Sequence, residues 1–413
     1  MLSASPIPQG SGGKVPPGQG ASSGQDGPPA ELTALAKSDR IVALRLLRRG
    51  PASQAALVAA TGLSRPTVTA ALSRLLDRGL AGVIPGQGDA APVTGRRAHR
   101  YRLTARAGHA VGVDIGRRHI TVVIMDAGHR QVVRLNSKVS ADADQDPWPA
   151  LKQAADQVHV ALEQAGDVSS VLGVAFGLPM PVTRDGLVSG GTLLPAWTQV
   201  DPLRELAALM PGFAVHVGNE ANQGALGEYV FGWGEGKQDL TYVKLGTGIG
   251  GGMVLGGSLH RGSGGTAMEI GHITIDYQGR RCPCGNRGCL ERYVGGRELL
   301  ASARKDGLEI EDIPSLVSRA RSGDAACRRI IHEAASLIGI AVGTLVNLSG
   351  PELVVLGGSL SAAGDLLTQP LRTALDQTAF AAATGSMSIK IARLNQWASA
   401  CGATALVFDH LAA

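Results

Sequence analysis

The chain has 413 residues, 44% of them hydrophobic and only 3% aromatic, with a net charge of +5. That length exceeds what one core sustains, so two or three domains are expected, and the shortage of aromatics beside 57 glycines argues for tight turns and closely packed helices. Five cysteines, three of them crowded into 282–289, suit a metal better than a disulfide framework. No basic start followed by an apolar stretch marks a secretory signal, and the longest apolar run, Leu337 to Leu348, is too short to span a bilayer; a cytoplasmic protein without membrane involvement is expected.

Residues 1–30 are mostly Gly, Pro, Ser and Gln with almost nothing to bury, so a disordered tail is expected there. Residues 31–105 carry the pattern of a winged helix-turn-helix. Ser38 is placed to cap a helix bearing Ile41, Leu44 and Leu47, which Gly50-Pro51 ends. Ser53 caps a second helix through Ala60, Thr61-Gly62-Leu63 makes the turn, and Ser64 caps a third helix. There Val68, Leu72, Leu75 and Leu76 fall on one face as a buried stripe. Strands around Gly82–Pro85 and His99–Leu103 follow, and the loop between them, with Arg96 and Arg97, forms the wing.

Charge is unevenly spread. Residues 38–106 hold twelve arginines against three aspartates, a balance of +9, which leaves −4 on 107–413 because residues 1–37 are neutral. Such a segment fits a polyanion partner or an Arg-rich solvated surface. The helix-turn-helix favours operator DNA as partner, the alternative being a protein-interaction module. With its stripe buried, the third helix presents Thr67, Ala70, Ser73 and Arg74, and Ser64 and Arg65 stand at the end that meets base edges in the major groove. Arg65 suits a bidentate contact to guanine, Thr67 and Thr69 reach phosphates or bases, and Arg96 and Arg97 enter the minor groove or clamp the backbone.

From 106 to 413 strands and helices alternate. Val111–Ile115, Ile120–Asp126 and Val132–Lys138 read as consecutive strands, a helix covers 148–165, and Val171–Phe176 is a further strand. Tyr242–Leu245, Gly252–Leu255 and His272–Ile275 read as strands of a second lobe. Long helices are expected around 324–347 and 361–378, with a buried strand at Leu353–Leu356 between them. Pattern alone supports an α/β body of two lobes.

The densest chemistry is Glu269-Ile-Gly-His272 followed by Cys282-Pro-Cys284-Gly-Asn-Arg-Gly-Cys289-Leu-Glu291. Three thiolates and one imidazole make a closed tetrahedral set, so His272, Cys282, Cys284 and Cys289 are expected to hold a structural Zn2+. This arrangement resembles the signature of the family that joins bacterial repressors, open reading frames and sugar kinases (ROK). The likeness extends over about 108–413, and the winged helix in front resembles the DNA-binding half of the family's repressor branch. The resemblance implies a two-lobed, actin- and sugar-kinase-like (ribonuclease H-like) body. It implies that Glu269, His272 and Glu291 hydrogen-bond sugar hydroxyls, His272 also ligating zinc, and that Asn219 and Glu220 lie where the family places an Asn-Asp pair gripping the sugar. Gly177-Leu-Pro179-Met-Pro181 resembles the family's pocket-edge turn.

Kinases of this family carry a second Gly and a small polar residue where Asp114-Ile-Gly116-Arg117-Arg118-His119 has a bulky turn, and an Asp as catalytic base where position 220 is Glu. The extra methylene moves the carboxylate by about an ångström, a misplacement that can cost roughly a hundredfold in rate. The Gly-rich turn Leu245 to Gly252 is intact, as is Gly357-Gly358, which in the kinases lies near the adenosine. Asn-Glu-Ala-Asn at 219–222 resembles the xylose-type repressors. The expected function is therefore a sugar-responsive DNA-binding regulator, a repressor of carbohydrate genes, with a catalytically degenerate kinase-like domain. The alternative is an active sugar kinase carrying a DNA-binding domain. A homodimer or homotetramer paired through the bodies is expected to space the recognition helices along the operator.

Overall fold

The computed structural model describes residues 30–85, 99–140, 144–166, 168, 170–188, 193–385 and 387–411. The tail expected over 1–30 therefore falls, apart from Ala30, outside the described residues, and so do Arg96 and Arg97 of the wing.

Local capping builds the helix-turn-helix. The second helix, Gln54–Thr61, is capped by Ser53, whose hydroxyl accepts from the Ala56 N–H, and ends at Gly62 in the left-handed region. The third, Arg65–Asp77, is capped by Ser64 and buries Val68, Ala71, Leu72 and Leu75, with Leu76 only half-buried. The first helix differs from expectation at its start. It runs Lys37–Arg49 from Ala36, which makes no side-chain cap, and Ser38 lies inside it, donating to Asp39. A three-stranded sheet in the order Ala52–Ser53, Arg100–Leu103, Ala81–Ile84 closes the unit.

The body contains one topology twice. The first sheet runs Gln131–Lys138, His119–Asp126, His109–Ile115, Val171–Leu178, Val215–Asn219. Its first three strands are antiparallel neighbours, and the last two lie parallel to His109–Ile115. The second sheet, Ser258–His260, Ile249–Leu255, Leu240–Leu245, Leu353–Gly357, Ser388–Ile391, repeats that order and those directions. His109–Ile115 is buried along its whole length, which explains its nearly continuous apolar run.

Two helices join the lobes. Glu220–Phe231 packs on the second sheet, Ala398–Leu411 packs on the first, and the two lie against each other. Glycines let the backbones touch: a Cβ at Gly402 would fall 1.6 Å from the Gln223 carbonyl, and one at Gly227 would fall 2.2 Å from that of Ala398. The helix Ala325–Ser349 is long and apolar enough to cross a membrane by length and composition, which the run from Leu337 to Leu348 alone did not suggest. It packs with Asp365–Thr378 in the second lobe and buries a dozen residues, Cys327 to Val346, ten of them in that lobe's hydrophobic core.

The strand expected at His272–Ile275 does not form. Ile270–His272 is instead a short 3-10 turn, and only Thr274 makes a bridge, to Cys289. Alternating apolar residues in this segment serve a loop wrapped around the cysteine cluster, where local turn geometry outweighs β propensity.

Candidate functional site

The cleft lies between the lobes, at the carboxyl ends of parallel strands, where open α/β sheets place their ligands. Its volume is about 1020 Å³. Asp114 sits near the end of His109–Ile115, Glu220 follows Val215–Asn219 directly, and Lys244 lies one residue from the end of Leu240–Leu245. These three meet at the cleft floor. The Lys244 Nζ is 2.9 Å from Glu220 Oε2 and 3.6 Å from Asp114 Oδ2, and His119 Nε2 is 3.2 Å from the same Asp114 oxygen.

Burial alone would raise the Asp114 carboxyl, but Lys244 and His119 bring it down to about 2. Burial keeps Glu220 above its ordinary value despite Lys244. For Lys244 burial disfavours the charged form, and the two carboxylates more than reverse that, so its pKa is raised. His119 is raised in the same way, burial being outweighed by its bond to Asp114. Sequence reasoning passed over Lys244. Its signal was a lone charged residue inside the otherwise buried strand Leu-Thr-Tyr-Val-Lys-Leu, a place where lysine is rarely found unpaired.

All five residues expected at the sugar line this cleft: Asn219, Glu220, Glu269, His272 and Glu291. Asn219 caps the helix that follows it, accepting from the N–H groups of Ala221 and Asn222 at 2.9 Å, and donates to the Met180 carbonyl at 3.1 Å. It thereby fixes the turn at 177–181 to the helix start. Glu291 accepts from the Ile249 N–H at 2.7 Å, which ties it to the Gly-rich turn. Burial and the neighbouring Glu291 push the Glu269 carboxyl up to about 7. At the bulky turn, His119 folds over Gly116, so that a Cβ there would fall 2.4 Å from the imidazole. Arg117 of the first lobe and Arg297 of the second both pair with Asp144, at 3.5 and 2.6 Å.

His272, Cys282, Cys284 and Cys289 converge, with their ligand atoms within 4.8 Å of one another. The Cys282 sulfur is 3.7 Å from His272 Nδ1, and the sulfurs of Cys284 and Cys289 are 3.6 Å apart. A tetrahedral ion with ligand bonds of about 2.0–2.3 Å has edges of roughly 3.5–3.8 Å, so the donor set fits such an ion. Gly285 and Gly288 make the fold possible, both with positive φ; a side chain at 288 would run into the Asp276 carbonyl. Without a cation, burial and the neighbouring thiols push Cys289 up to about 12, a cluster that disfavours thiolates until a metal offsets the charge.

On the helix-turn-helix, Ser64 and Arg65 are exposed at the leading end of the third helix. The Ser64 and Thr67 hydroxyls bond each other at 2.7 Å, and the Thr69 hydroxyl donates to the Arg65 carbonyl and accepts from Gln54. Arg74 makes two bonds to Asp39, at 2.7 and 2.8 Å, and so braces the third helix against the first. Ser64, Arg65, Thr67 and Thr69 thus share one end of the helix, and Arg74 is engaged within the domain.

A sequence profile of the ROK family matches residues 110–410, and one of the MarR family matches residues 40–90. The chain belongs to the ROK family. It is 32% identical over 338 residues to the xylose repressor of Caldicellulosiruptor bescii, covering 77% of this chain and 82% of that protein. It is also 32% identical over 286 residues to the glucokinase of Streptomyces coelicolor, covering 64% and 86%. Among solved structures, a ROK family transcriptional regulator described as a homolog of the E. coli MLC protein superposes with a TM-score of 0.72 at 22% identity, covering 91% of this chain and 96% of that one. The fold is thus a ROK sugar-kinase-like body behind a MarR-like winged helix.

The buried cation at the floor of the ROK cleft carries a stability prediction. Lys244→Met leaves Asp114 and Glu220 facing each other without the ammonium they share, Glu220 losing its ion-pair partner, and is expected to destabilise the protein by about 3–5 kcal/mol. Glu220, already raised, then folds best protonated, so the deficit should be smaller at pH 5 than at pH 8. Urea denaturation at both pH values reads this, and an unchanged midpoint would show that the ion triad contributes nothing.

Proposed function

We propose that this ROK protein is a sugar-responsive transcriptional repressor of carbohydrate genes, acting in the cytoplasm, whose kinase-like cleft binds a sugar without phosphorylating it. The observation that carries the reading is Lys244. Phosphoryl transfer needs a carboxylate free to orient the attacking hydroxyl and cations on the phosphate oxygens. Here both floor carboxylates are turned onto an internal ammonium, and His119 covers the turn at Gly116. The similarity to a xylose repressor over 77% of this chain and the MarR-family match at residues 40–90 support the same reading.

In this reading Glu269, His272, Glu291, Asn219 and Glu220 hold sugar hydroxyls, since carboxylates accept from them and the amide both donates and accepts. His272, Cys282, Cys284 and Cys289 hold Zn2+. A closed four-ligand zinc supplies rigidity: it fixes the orientation of His272 and, through the short segment Cys289-Leu290-Glu291, the carboxylate of Glu291. Residues 31–105 bind operator DNA, with Ser64, Arg65, Thr67 and Thr69 toward the bases and Arg96 and Arg97 in the wing. Two or four copies paired through their ROK bodies place these units on successive half-sites.

Three measurements test this. Thermal unfolding of the zinc-loaded protein against a panel of sugars, with and without Mg-ATP, should show stabilisation by one sugar and none by Mg-ATP. A clear shift with Mg-ATP, followed by turnover in a coupled assay, would establish the kinase alternative that the intact Gly-rich turn and the likeness to a glucokinase favour. Arg65→Ala should weaken operator binding by about 1–3 kcal/mol and relax preference at one base pair; unaltered affinity and selectivity would remove Arg65 from the reading face. Cys284→Ser should lower the zinc content measured by mass spectrometry and the melting temperature together, and a variant still fully zinc-loaded would refute the ligand assignment.

A further inference from the structure

The last turn of the helix Lys37–Arg49 is a principal junction between the winged helix and the body, beside the Arg100–Glu235 ion pair of the strand Arg100–Leu103, and three consecutive residues there face different parts of the body. His129, in the hairpin turn between the first-lobe strands His119–Asp126 and Gln131–Lys138, donates from Nε2 to the Leu47 carbonyl at 2.6 Å. Its ring stacks on Phe408 of the helix Ala398–Leu411 and meets the edge of Phe231 at the end of Glu220–Phe231. Only a glycine fits at position 50, because a Cβ there would fall 2.8 Å from the His129 ring. Arg48 pairs with Asp409, also on the helix that rides on the first sheet, at 2.7 Å. Arg49 turns the other way. Its guanidinium donates to the Gly257 carbonyl, in the tight turn between the second-lobe strands Ile249–Leu255 and Ser258–His260, and stacks 4.6 Å over the Tyr229 ring on the helix that rides on the second sheet.

Resting on the sensor reading above, we propose that Leu47-Arg48-Arg49 is a two-lobe latch, and that Arg49 and Tyr229 are the positioning residues through which ligand in the cleft moves the DNA-reading helix. Rotation of one lobe against the other about the crossed helices cannot leave both attachments unstrained, because adjacent residues of one rigid helix are fixed to opposite lobes. The first-lobe side, with a half-buried imidazole stacked on Phe408 and bonded to the helix C-terminus and with the Arg48–Asp409 ion pair beside it, is the more extensive attachment. The second-lobe side is the Arg49 guanidinium on a carbonyl and a ring face, with Arg100 reaching the exposed carboxylate of Glu235. Sugar-driven rotation therefore releases or re-seats Arg49 while the winged helix travels with the first lobe.

The test uses the full-length zinc-loaded protein, a duplex selected in vitro by the wild type, and a panel of pentoses and hexoses led by D-xylose and D-glucose. Operator affinity is measured with and without each sugar for the wild type, Arg49→Gln and, from the body side, Tyr229→Leu. The latch predicts that a sugar shifting the wild type by roughly tenfold or more shifts both variants by less than about twofold. Their sugar-free operator affinity should stay within about threefold of wild type, and the sugar itself should still bind, read by calorimetry. Variants that respond as the wild type does would overturn the latch and leave the sensor reading standing. A wild type whose operator affinity ignores every sugar would sink the sensor reading and the latch with it.

Discussion

The helices Glu220–Phe231 and Ala398–Leu411 cross with backbone against backbone, and the placement of both lobes follows from that contact. No side chain stands between them at Gly402 and Gly227, and Gly112 of the central first-lobe strand is just as close to the Ala400 carbonyl. Contacts of this kind do not stretch or slide by small amounts, since protein interiors are packed as tightly as crystals. Each helix is committed to a different sheet, so relative motion of the lobes reduces to rocking about the crossing. The cleft opens on one side of that pivot. Phe231 and Phe408, at the far ends of the same helices, face the winged helix through His129. A small change at the ligand thus has a lever already connected to the DNA-reading unit.

Electrostatics at the cleft floor fits a ligand without charge. Two carboxylates, one ammonium and an imidazole bonded to Asp114 offset one another inside the protein, so the cation at the floor is already engaged. Removing ions from water is costly, and a buried triad persists when each member meets the others at good geometry. Here the triad has a further consequence, because Asp114 belongs to one lobe and Lys244 to the other. The same contacts that engage the floor cation also hold the lobes together at the base of the cleft. Asp144 does this at the mouth, reached by Arg117 from one lobe and Arg297 from the other.

Much of this was legible in the sequence, for reasons that differ by element. The cysteine cluster was visible because its donors are close together in the chain and few other arrangements need three thiols in eight residues. Caps and periodicity revealed the helix-turn-helix, since Ser53 and Ser64 act within their own turns. The start of the first helix was missed, as Ser38 prefers its neighbour Asp39 and nothing local marks Ala36. The strand Val215–Asn219 and the closing helix Ala398–Leu411 were also missed. The helix shows almost no amphipathic pattern because Ala398 to Phe408 is buried on every side. The duplicated sheet topology is likewise invisible to local reasoning, being a matter of long-range pairing with no repeated residues. Lys244 was overlooked because its partners lie 24 and 130 residues away.

The basic charge of the N-terminal domain needs a different interpretation once its partners are known. From composition, twelve arginines between 38 and 106 point to DNA. In the fold Arg48, Arg49 and Arg100 attach the domain to the body, through Asp409, Gly257 and Glu235, while Arg74 and Arg106 pair within the domain with Asp39 and Glu31. Part of the +9 is therefore mortar, and the reading surface is smaller than the charge implied. That division suits a regulator. Single guanidinium contacts at a partly hydrated junction are individually weak and sensitive to salt, so a modest coupling energy is enough to rearrange them. A junction sealed by apolar area alone would hold the winged helix in one place whatever the cleft contained.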